Sequence, residues 1–273
     1  MGLHVRPIVL SIAGSDSSGG AGIQADLKTI EACGGWGATA ITVVTAQNTL
    51  GVTCQTPLDP AVILAQIAAV LDDLAVASIK TGMLGTAAAA AAVARGLAAA
   101  GPRPVVCDPV SRASSGARLL DEAGLRVLRD EILPLATVVT PNAAEAEALT
   151  GLRVRTVEEA LRAGERLLEL GARAALVTGG HLEGARVVDV LVEAAGATRF
   201  DGERLWVTTT HGTGCVLSAA IATHLAHGRT LADAIGRAKR FAADALGRGC
   251  TLGRGAGAVD PLHAWHASRR AAS

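Results

Sequence analysis

Short, almost wholly apolar runs alternate along the chain with longer segments in which apolar residues recur every three or four positions. The short runs predict strands at residues 7–13, 38–45, 76–79, 104–107, 137–139 and 174–177. The longer segments predict helices at residues 22–32, 61–74, 87–99, 118–132 and 156–170. Continuous apolar runs are typical of parallel strands that helices cover on both faces. The pattern therefore predicts an α/β fold with a mainly parallel central sheet.

The pattern changes in the last third of the chain. Residues 186–192 and 199–207 predict an antiparallel pair of strands, and two helices are predicted after them at residues 214–227 and 231–246. The tail beyond them contains several glycines and predicts a loop followed by a short terminal segment. No long linker or repeat interrupts the chain, so we expect residues 1–273 to form a single domain.

Composition narrows the class of protein. Half of the 273 residues are hydrophobic, which is ample for a core, and this core must be aliphatic because the chain has two Phe, three Trp and no Tyr. The 25 basic and 25 acidic residues balance, so no overall charge attracts nucleic acid or an anionic membrane. The longest apolar run, residues 87–94, is too short to span a bilayer. We therefore expect neither nucleic acid nor a membrane as a partner.

Cysteine usage indicates a reducing compartment. The five cysteines are odd in number and form no C-x-x-C pair, which argues against a disulfide framework or a zinc site. The first residues also lack the long apolar stretch of a signal peptide. We therefore expect a cytoplasmic protein.

Candidate chemistry lies where predicted strands end, which is where open α/β sheets bind ligands. The first string, AGSDSSGGAGIQAD at residues 13–26, joins a strand to a helix. Its small residues let a ligand approach the backbone and the helix amides. A glycine-rich turn that only packs against the sheet explains this string equally well. It is neither a Walker loop nor a clean G-x-G-x-x-G.

Three further strings follow other predicted strands. In VTAQNT, Gln47 and Asn48 can hydrogen-bond to a heterocycle, although loop polarity alone explains them. In KTGML, Met83 can lie against a flat ring, although filling the core is the commoner role. In VVCDPV, Asp108 ends a strand and places a carboxylate in the crevice.

The string TPNAAEAEAL has two readings. Pro141 ends a strand, Asn142 can cap the next helix, and Glu145 falls at the capping-box position. Alternatively, Asn142 and Glu145 hold a hydrated Mg²⁺ beside phosphate oxygens, because such ions bind through few carboxylates together with water and phosphate.

The string HGTGC precedes a predicted helix. Gly212, Thr213 and Gly214 place amide groups at the helix start, and this arrangement attracts negative charge. Such donors stabilise the charge that spreads over a phosphoryl group during its transfer. The same field favours a thiolate at Cys215, and this thiolate could take a proton from an attacking hydroxyl. A small buried cysteine packed at a helix start is the structural alternative.

Taken together, these strings resemble the ribokinase-like superfamily and, within it, the hydroxymethylpyrimidine and phosphohydroxymethylpyrimidine kinases of thiamin biosynthesis. The resemblance runs over nearly the whole chain and is carried by the order and spacing of AGSDSSGGAGIQADLKT, TAQNTLGV, KTGMLG, DPV, TPN, GGHL and HGTGCVLSAAIA. It implies a three-layer αβα sandwich. It also implies ATP- and Mg²⁺-dependent phosphorylation of 4-amino-5-hydroxymethyl-2-methylpyrimidine and then of its monophosphate, by a homodimer.

The resemblance also implies roles for individual residues. Those that contact or line the site of the pyrimidine are Gly14, Asp26, Gln47 and Met83. Those that form the anion hole and supply the catalytic base are Gly212, Thr213, Gly214 and Cys215. Those near the nucleotide phosphates are Asp108, Asn142, Glu145, Thr178 and Gly180, with Asn142 and Glu145 as the Mg²⁺ residues.

The chain departs from the family pattern where cations are expected. The family usually has Lys and Asp at the positions of Ser114 and Ala117, and Lys at Thr178. Arg112 could compensate in part, because its guanidinium can bind phosphate. Two alternatives therefore remain open: a pyridoxine or pyridoxal kinase on the same scaffold, and a catalytically weak pyrimidine-binding regulatory protein.

Overall fold

The computed structural model of the chain describes residues 6–112, 116 and 118–271, and a nine-stranded sheet forms its centre. The strands are β1 (Ile8–Asp16), β2 (Trp36–Asn48), β3 (Gly51–Pro57), β4 (Val76–Thr81), β5 (Val105–Cys107), β6 (Val138–Val139), β7 (Ala174–Val177), β8 (Arg186–Glu193) and β9 (Gly196–Glu203). Their order in the sheet is β3-β2-β1-β4-β5-β6-β7-β8-β9. The six from β2 to β7 in this order run parallel, and β3, β8 and β9 pair antiparallel. The mainly parallel sheet predicted from the sequence is confirmed.

Helices cover both faces of this sheet. They are α1 (Gly22–Ala32), α2 (Pro60–Asp73), α3 (Ala87–Ala99), α4 (Glu122–Val127), α5 (Ala143–Thr150), α6 (Val157–Glu169), α7 (Thr213–Ala226), α8 (Leu231–Gly247) and α9 (His263–Ala271). One buried cluster packs α2, α3, α5 and α6 against the sheet, and a second packs α1, α7 and α8 against the opposite face. Two cores on either side of one sheet make the three-layer αβα sandwich that was expected.

Some boundaries differ from those predicted. Strand β3 was not predicted, because its largely exposed residues have no apolar periodicity. Strand β9 begins and ends earlier than the predicted segment 199–207. The predicted helix 118–132 begins only at Glu122, where Asp121 caps it, and ends in a π turn and a 3₁₀ turn. Local caps and turns of this kind are weak signals in a pattern of apolar residues.

Among the described residues, the structure contains no helix both long and apolar enough to cross a bilayer.

Candidate active site

The parallel strands end along one edge of the sheet, and the predicted site residues follow them there. Gly14 lies at the end of β1, Gln47 at the end of β2, and Met83 just after β4. Asp108 follows β5, and Thr178 follows β7. The fold therefore gathers at one edge five groups that are far apart in the sequence.

The start of α7 provides two amides for an anion. Gly212 caps the helix with a left-handed backbone, φ +88°. The Thr213 amide donates to the Thr210 carbonyl at 3.3 Å. Among the described residues, no acceptor is recorded for the amides of Gly214 and Cys215, the next two in the helix. A local turn therefore occupies the Thr213 amide, and the anion site expected at residues 212–214 stays a prediction.

Gly212 also brings the two glycine-rich loops into contact. A β-carbon at this position would overlap the carbonyl oxygen of Gly20, which belongs to the loop between β1 and α1. The same two loops are joined by side chains, because His211 Nε2 lies 2.9 Å from Asp16 Oδ2. Asp16 also accepts the amides of Ser18 and Ala21, both at 2.8 Å. Burial works to raise the pKa of Asp16, but the hydrogen bonds from His211 and Ser18 outweigh it and lower that pKa.

Gln47 lies beside this junction. Its Nε2 is 3.3 Å from His211 Nε2, and its backbone exchanges hydrogen bonds with the Ser17 hydroxyl. Gln47 is therefore half-buried at the end of β2, beside the two loops.

Gly14 and Met83 meet as a pair. A β-carbon on Gly14 would lie 3.0 Å from Met83 Sδ. The Met83 carbonyl accepts the Thr42 hydroxyl at 2.6 Å, which fixes the turn after β4. The structure thus brings together two of the residues expected to line a pyrimidine pocket.

Asp26, which is expected to contact the pyrimidine, is enclosed by protein in this structure. It is fully buried in α1. Both of its oxygens accept hydrogen bonds from Lys80 Nζ, at 2.9 and 2.8 Å, and Oδ2 also accepts the Ser11 hydroxyl at 2.6 Å. An enclosed carboxylate with these partners is not available to a ligand, because a ligand must displace Lys80 to reach it.

Burial is the largest influence on the ionisation of the Cys215 thiol. Although solvent reaches part of the residue, protein surrounds the thiol, and this burial raises its pKa to about 12. Lys80 and a hydrogen bond from the Gly22 amide act in the opposite direction. Asp26 and Asp108 raise the pKa further. Burial therefore opposes the helix field that is expected to favour a thiolate at Cys215, and the role of this thiol stays a prediction.

Asp108 and Glu145 form a second, acidic part of the site. Burial raises the pKa of Asp108, against the attraction of Lys80 and the hydrogen bond from the Ser218 hydroxyl, at 3.0 Å. Burial, followed by repulsion from Asp108, raises the pKa of Glu145 to about 8. A β-carbon on Gly214 would lie 3.8 Å from Asp108 Oδ2, which places this carboxyl beside the start of α7.

Asn142 forms the capping box predicted from the sequence. Its Oδ1 accepts the Glu145 amide at 3.0 Å, and its own amide donates to Glu145 Oε2 at 3.0 Å. The two residues therefore fix one another at the start of α5. Within the described residues, no group of three or more His, Cys, Asp or Glu side chains is arranged to hold a metal ion.

Thr178 and Gly180 lie in a braced turn next to this acidic part. Thr178 bridges to Asn142, and its amide donates to the Pro141 carbonyl at 2.9 Å. The Arg204 guanidinium donates to the Gly180 carbonyl at 2.7 Å and to two neighbouring carbonyls. Thr178, one of the two expected nucleotide residues, thus adjoins Asn142.

The structure describes only some of the positions at which the chain departs from the family pattern. Ser114 and Ala117 are outside the described residues. Arg112 is described, and its guanidinium donates to the Gly116 carbonyl at 3.2 Å.

Sequence reasoning missed three residues of the site. Lys80 interrupts the buried strand VASIKT, and a lysine in such a run is itself a signal of a buried partner. Asp16 and His211 lie in two strings that were identified, but nothing in the sequence pairs them. The structure shows the pairing because α1 and α7 pack side by side.

The chain is similar to known proteins over nearly its whole length. The family described as phosphomethylpyrimidine kinase matches residues 16–260. The hydroxymethylpyrimidine/phosphomethylpyrimidine kinase of Rhizobium meliloti is 46% identical over 265 residues, which cover 94% of this chain and 98% of that protein. The thiamine biosynthesis bifunctional protein ThiED of Geobacter sulfurreducens is 46% identical over 257 residues, or 94% of this chain, and the chain spans 52% of its length.

A solved structure supports the same fold. The ADP complex of Bacillus subtilis pyridoxal kinase superposes with a TM-score of 0.89 at 36% identity, covering 96% of this chain and 99% of that one. With this match, the ribokinase-like fold expected from the sequence is confirmed.

Proposed function

The chain belongs to the phosphomethylpyrimidine kinase family, and from this membership we propose that it phosphorylates 4-amino-5-hydroxymethyl-2-methylpyrimidine and then the monophosphate, with ATP as the phosphoryl donor. It is therefore a phosphotransferase of thiamine biosynthesis. The bifunctional relative of Geobacter sulfurreducens is longer, and the match covers 52% of its length.

One observation carries the proposal: the Gly214 and Cys215 amides lie at the start of α7 beside the Cys215 thiol. A phosphoryl group in transfer spreads its negative charge over three oxygens. Preorganised amides at a helix start stabilise this charge without reorganising during the reaction. The adjacent sulfur is placed to accept the hydroxyl proton once its own proton is lost.

The pyrimidine pocket is proposed between the ends of β1, β2 and β4. Gly14 leaves room for the Met83 thioether, whose sulfur can lie against a flat ring. Gln47 offers an amide donor and acceptor to the ring substituents. Asp26 supports this pocket from within the fold, where it binds Lys80.

The nucleotide site is proposed around Thr178 and Gly180, next to Asn142. The donors near it suit Mg²⁺, because Asp108 and Glu145 concentrate two buried carboxyls whose mutual repulsion a divalent cation relieves. When bound, Mg²⁺ neutralises charge on the nucleotide phosphates. Glu145 would hold it through oxygen, and Asn142 would fix Glu145 in place through the capping box.

The proposal is tested with purified protein, the pyrimidine, ATP and Mg²⁺. We expect release of ADP while the pyrimidine is converted to its monophosphate and then to its diphosphate. Phosphorus NMR detects each of these products. Pyrimidine binding without phosphorylation, over varied pH and metal, would instead fit a regulatory binding protein.

Pyridoxal is the competing substrate, because the Bacillus subtilis structure that superposes on this chain is described as a pyridoxal kinase. The curated relatives at 46% identity favour the pyrimidine. A competition assay with equal concentrations of the pyrimidine and pyridoxal distinguishes the two substrates. We expect the pyrimidine to be phosphorylated with the larger kcat/KM. Preferred turnover of pyridoxal would assign the site to that vitamer.

We also propose that residues 1–273 act as one kinase domain in a cytoplasmic homodimer. One continuous sheet supports the single domain. Exposed apolar side chains on and beside β2, namely Val44, Leu50 and Val62, support self-association near that edge. Sedimentation equilibrium tests the dimer, and a monomer mass at micromolar concentration would refute it.

A further inference from the structure

The side-chain amide of Gln47, at the end of β2, lies between two polar groups. Its Nε2 is 3.3 Å from His211 Nε2, and its Oε1 is 3.3 Å from the Thr45 hydroxyl. The nitrogen and the oxygen of a carboxamide have nearly the same size, so their hydrogen-bond partners decide which atom takes which place. His211 and Thr45 therefore determine how the Gln47 amide is oriented.

His211 is a donor at its contact with Gln47. Its Nε2 lies 2.9 Å from Asp16 Oδ2, and an ionised carboxylate only accepts hydrogen bonds. Burial works to raise the pKa of Asp16, but the hydrogen bonds from His211 and Ser18 outweigh it and lower that pKa, so Asp16 is ionised near neutral pH. His211 Nε2 therefore carries a hydrogen and has no lone pair for an N–H group of Gln47.

Thr45 is an acceptor at the other contact. Its hydroxyl donates to the Ser15 carbonyl at 2.8 Å, which is shorter than its 3.3 Å contact with Gln47. A hydroxyl has one hydrogen and two lone pairs. Once that hydrogen is given to Ser15, Thr45 Oγ1 can only accept from Gln47.

Both contacts become hydrogen bonds when the amide turns by half a rotation about its Cγ–Cδ bond. The oxygen of Gln47 then accepts the hydrogen of His211 Nε2, which Asp16 shares, and an N–H group of Gln47 donates to Thr45 Oγ1. The result is one chain of hydrogen bonds with a fixed direction, which joins Asp16, His211, Gln47, Thr45 and Ser15. The opposite orientation of the amide loses the two hydrogen bonds of Gln47.

The fold holds the His211 ring in one place. The His211 amide donates to the Gly257 carbonyl at 3.1 Å, and its carbonyl accepts the Val259 amide at 3.2 Å. A β-carbon on Gly20 would lie 2.6 Å from His211 Cδ2, so glycine at this position leaves room for the ring. The imidazole thus keeps its position relative to Gln47.

We propose that His211 is a specificity-determining residue: together with Asp16 and Thr45 it fixes the Gln47 amide in the orientation that binds a 4-aminopyrimidine and rejects the 4-oxo analogue. The inference rests on the proposed function, in which Gln47 meets the pyrimidine ring. A carboxamide has two N–H groups and two lone pairs. The chain of hydrogen bonds uses one of each, and one of each is left for the ring.

The two rings differ in the direction of their hydrogen bonds. In the 4-aminopyrimidine, the amino group donates and the adjacent ring nitrogen accepts, a pattern that glutamine carboxamides bind in adenine. In the 4-oxo analogue, an oxygen replaces the amino group and the adjacent nitrogen carries a hydrogen, so the pattern is reversed. The ring cannot turn over to restore the match, because its hydroxymethyl group must face the start of α7. The analogue therefore fits only if the Gln47 amide turns against His211 and Thr45.

The test measures the affinity of the full chain for 4-amino-5-hydroxymethyl-2-methylpyrimidine and for its 4-oxo analogue by calorimetry without ATP. We expect wild type to bind the aminopyrimidine at least about thirtyfold more tightly. His211→Leu removes the donor and lets the Gln47 amide turn. We expect this ratio of affinities to fall below about fivefold, with tighter binding of the 4-oxo analogue than in wild type. General damage to the fold would instead weaken the binding of both pyrimidines.

Two matched variants separate the hydrogen bond from the packing. His211→Gln keeps N–H groups that can donate to both Asp16 and Gln47. Thr53→Val removes a hydroxyl that donates to the Ala46 carbonyl at 2.9 Å, outside the chain of hydrogen bonds. We expect both variants to keep the ratio of affinities within about threefold of wild type.

NMR of protein labelled with ¹⁵N-glutamine gives a readout without any ligand. Gln47→Leu assigns the Gln47 amide protons. In wild type we expect nuclear Overhauser effects from these protons to the Thr45 side chain and weaker ones to the His211 ring. Stronger effects to the His211 ring would overturn the proposal, because the amide would then have the opposite orientation.

A folded His211→Leu variant with the wild-type ratio of affinities would also overturn the proposal, as would a wild-type ratio near one. If His211→Leu does not fold, Thr45→Val is judged by the same ratio, because it removes the acceptor at the other end of the amide. A wild type that shows the expected ratio but transfers no phosphoryl group would refute the proposed function alone. A wild type that binds neither pyrimidine would refute both.

Discussion

His211 Nε2 and Asp16 Oδ2 lie 2.9 Å apart, although 195 residues separate them in the sequence. The contact fastens the loop that begins α1 to the loop that begins α7. Both helix starts face the crevice at the edge of the sheet. The geometry of the proposed phosphoryl site therefore depends on a link that neither loop contains by itself.

Replacing Asp16 with asparagine should loosen this link. The amide group of asparagine cannot accept both the Ser18 and the Ala21 amides while it also receives His211. We expect the free energy of unfolding to fall by about 2 kcal/mol, as for lost hydrogen bonds to a charged group. We also expect kcat/KM to fall at least about tenfold.

Asp59→Asn is the control for this variant. The side chain of Asp59 accepts the Ala61 amide at the start of α2, and asparagine caps a helix equally well. Urea unfolding and steady-state kinetics should therefore match wild type. If Asp16→Asn gave the same result as this control, the link would have no part in holding the site.

Gly212→Ala should disrupt the contact between the two loops. The added methyl group would overlap the Gly20 carbonyl oxygen, and the backbone at residue 212 is left-handed. Gly228→Ala is the matched control for this variant. The backbone of Gly228 is also left-handed, φ +76°, but the residue has open space around it. We expect Gly228→Ala to cost about 1 kcal/mol of unfolding free energy and to leave kcat unchanged.

Gly212→Ala should cost more than that control and abolish measurable phosphorylation. Differential scanning calorimetry and a coupled ADP assay measure both effects. Equal losses of stability and equal activity in the two variants would show that the contact with Gly20 is unimportant.

Alkaline pH should destabilise the protein through its buried thiols. Burial raises the pKa of Cys107 from 9.0 to about 12. A group whose pKa is raised by folding contributes stability below the unfolded pKa and loses it as pH rises towards the folded pKa. The free energy of unfolding should therefore fall between about pH 9 and pH 12, with up to about 1.4 kcal/mol per pH unit from each such thiol.

Cys107→Val tests this prediction, because valine fills the buried position without ionising. Urea unfolding at a series of alkaline pH values should give a shallower decline for the variant than for wild type. Parallel declines would show that Cys107 does not supply the effect.

The apolar pattern was sufficient for the layers of the fold but not for its electrostatics. The predicted helices at 22–32 and 87–99 agree with α1 and α3 residue for residue. Strand β3 was missed because it lies at the sheet edge, with neither face buried.

Contacts between residues far apart in the sequence could not be predicted either. The strings around Asp26 and Cys215 were identified, but their charge states depend on Lys80, which is 54 residues from Asp26. Burial raises the pKa of Cys215, and burial follows from packing that no single string contains. The resemblance to a kinase family located the site, while the structure was needed to show which of its groups are enclosed.

The role of Cys215 is tested most directly by comparing Cys215→Ala with wild type in single-turnover phosphorylation of the pyrimidine, with pyrimidine affinity measured by calorimetry. Cys54→Ala, which changes an exposed cysteine on β3, is the control. We predict that Cys215→Ala loses about a hundredfold or more in the rate of phosphoryl transfer, with pyrimidine affinity nearly unchanged and the control like wild type. A Cys215→Ala enzyme that transfers the phosphoryl group at the wild-type rate would contradict this account.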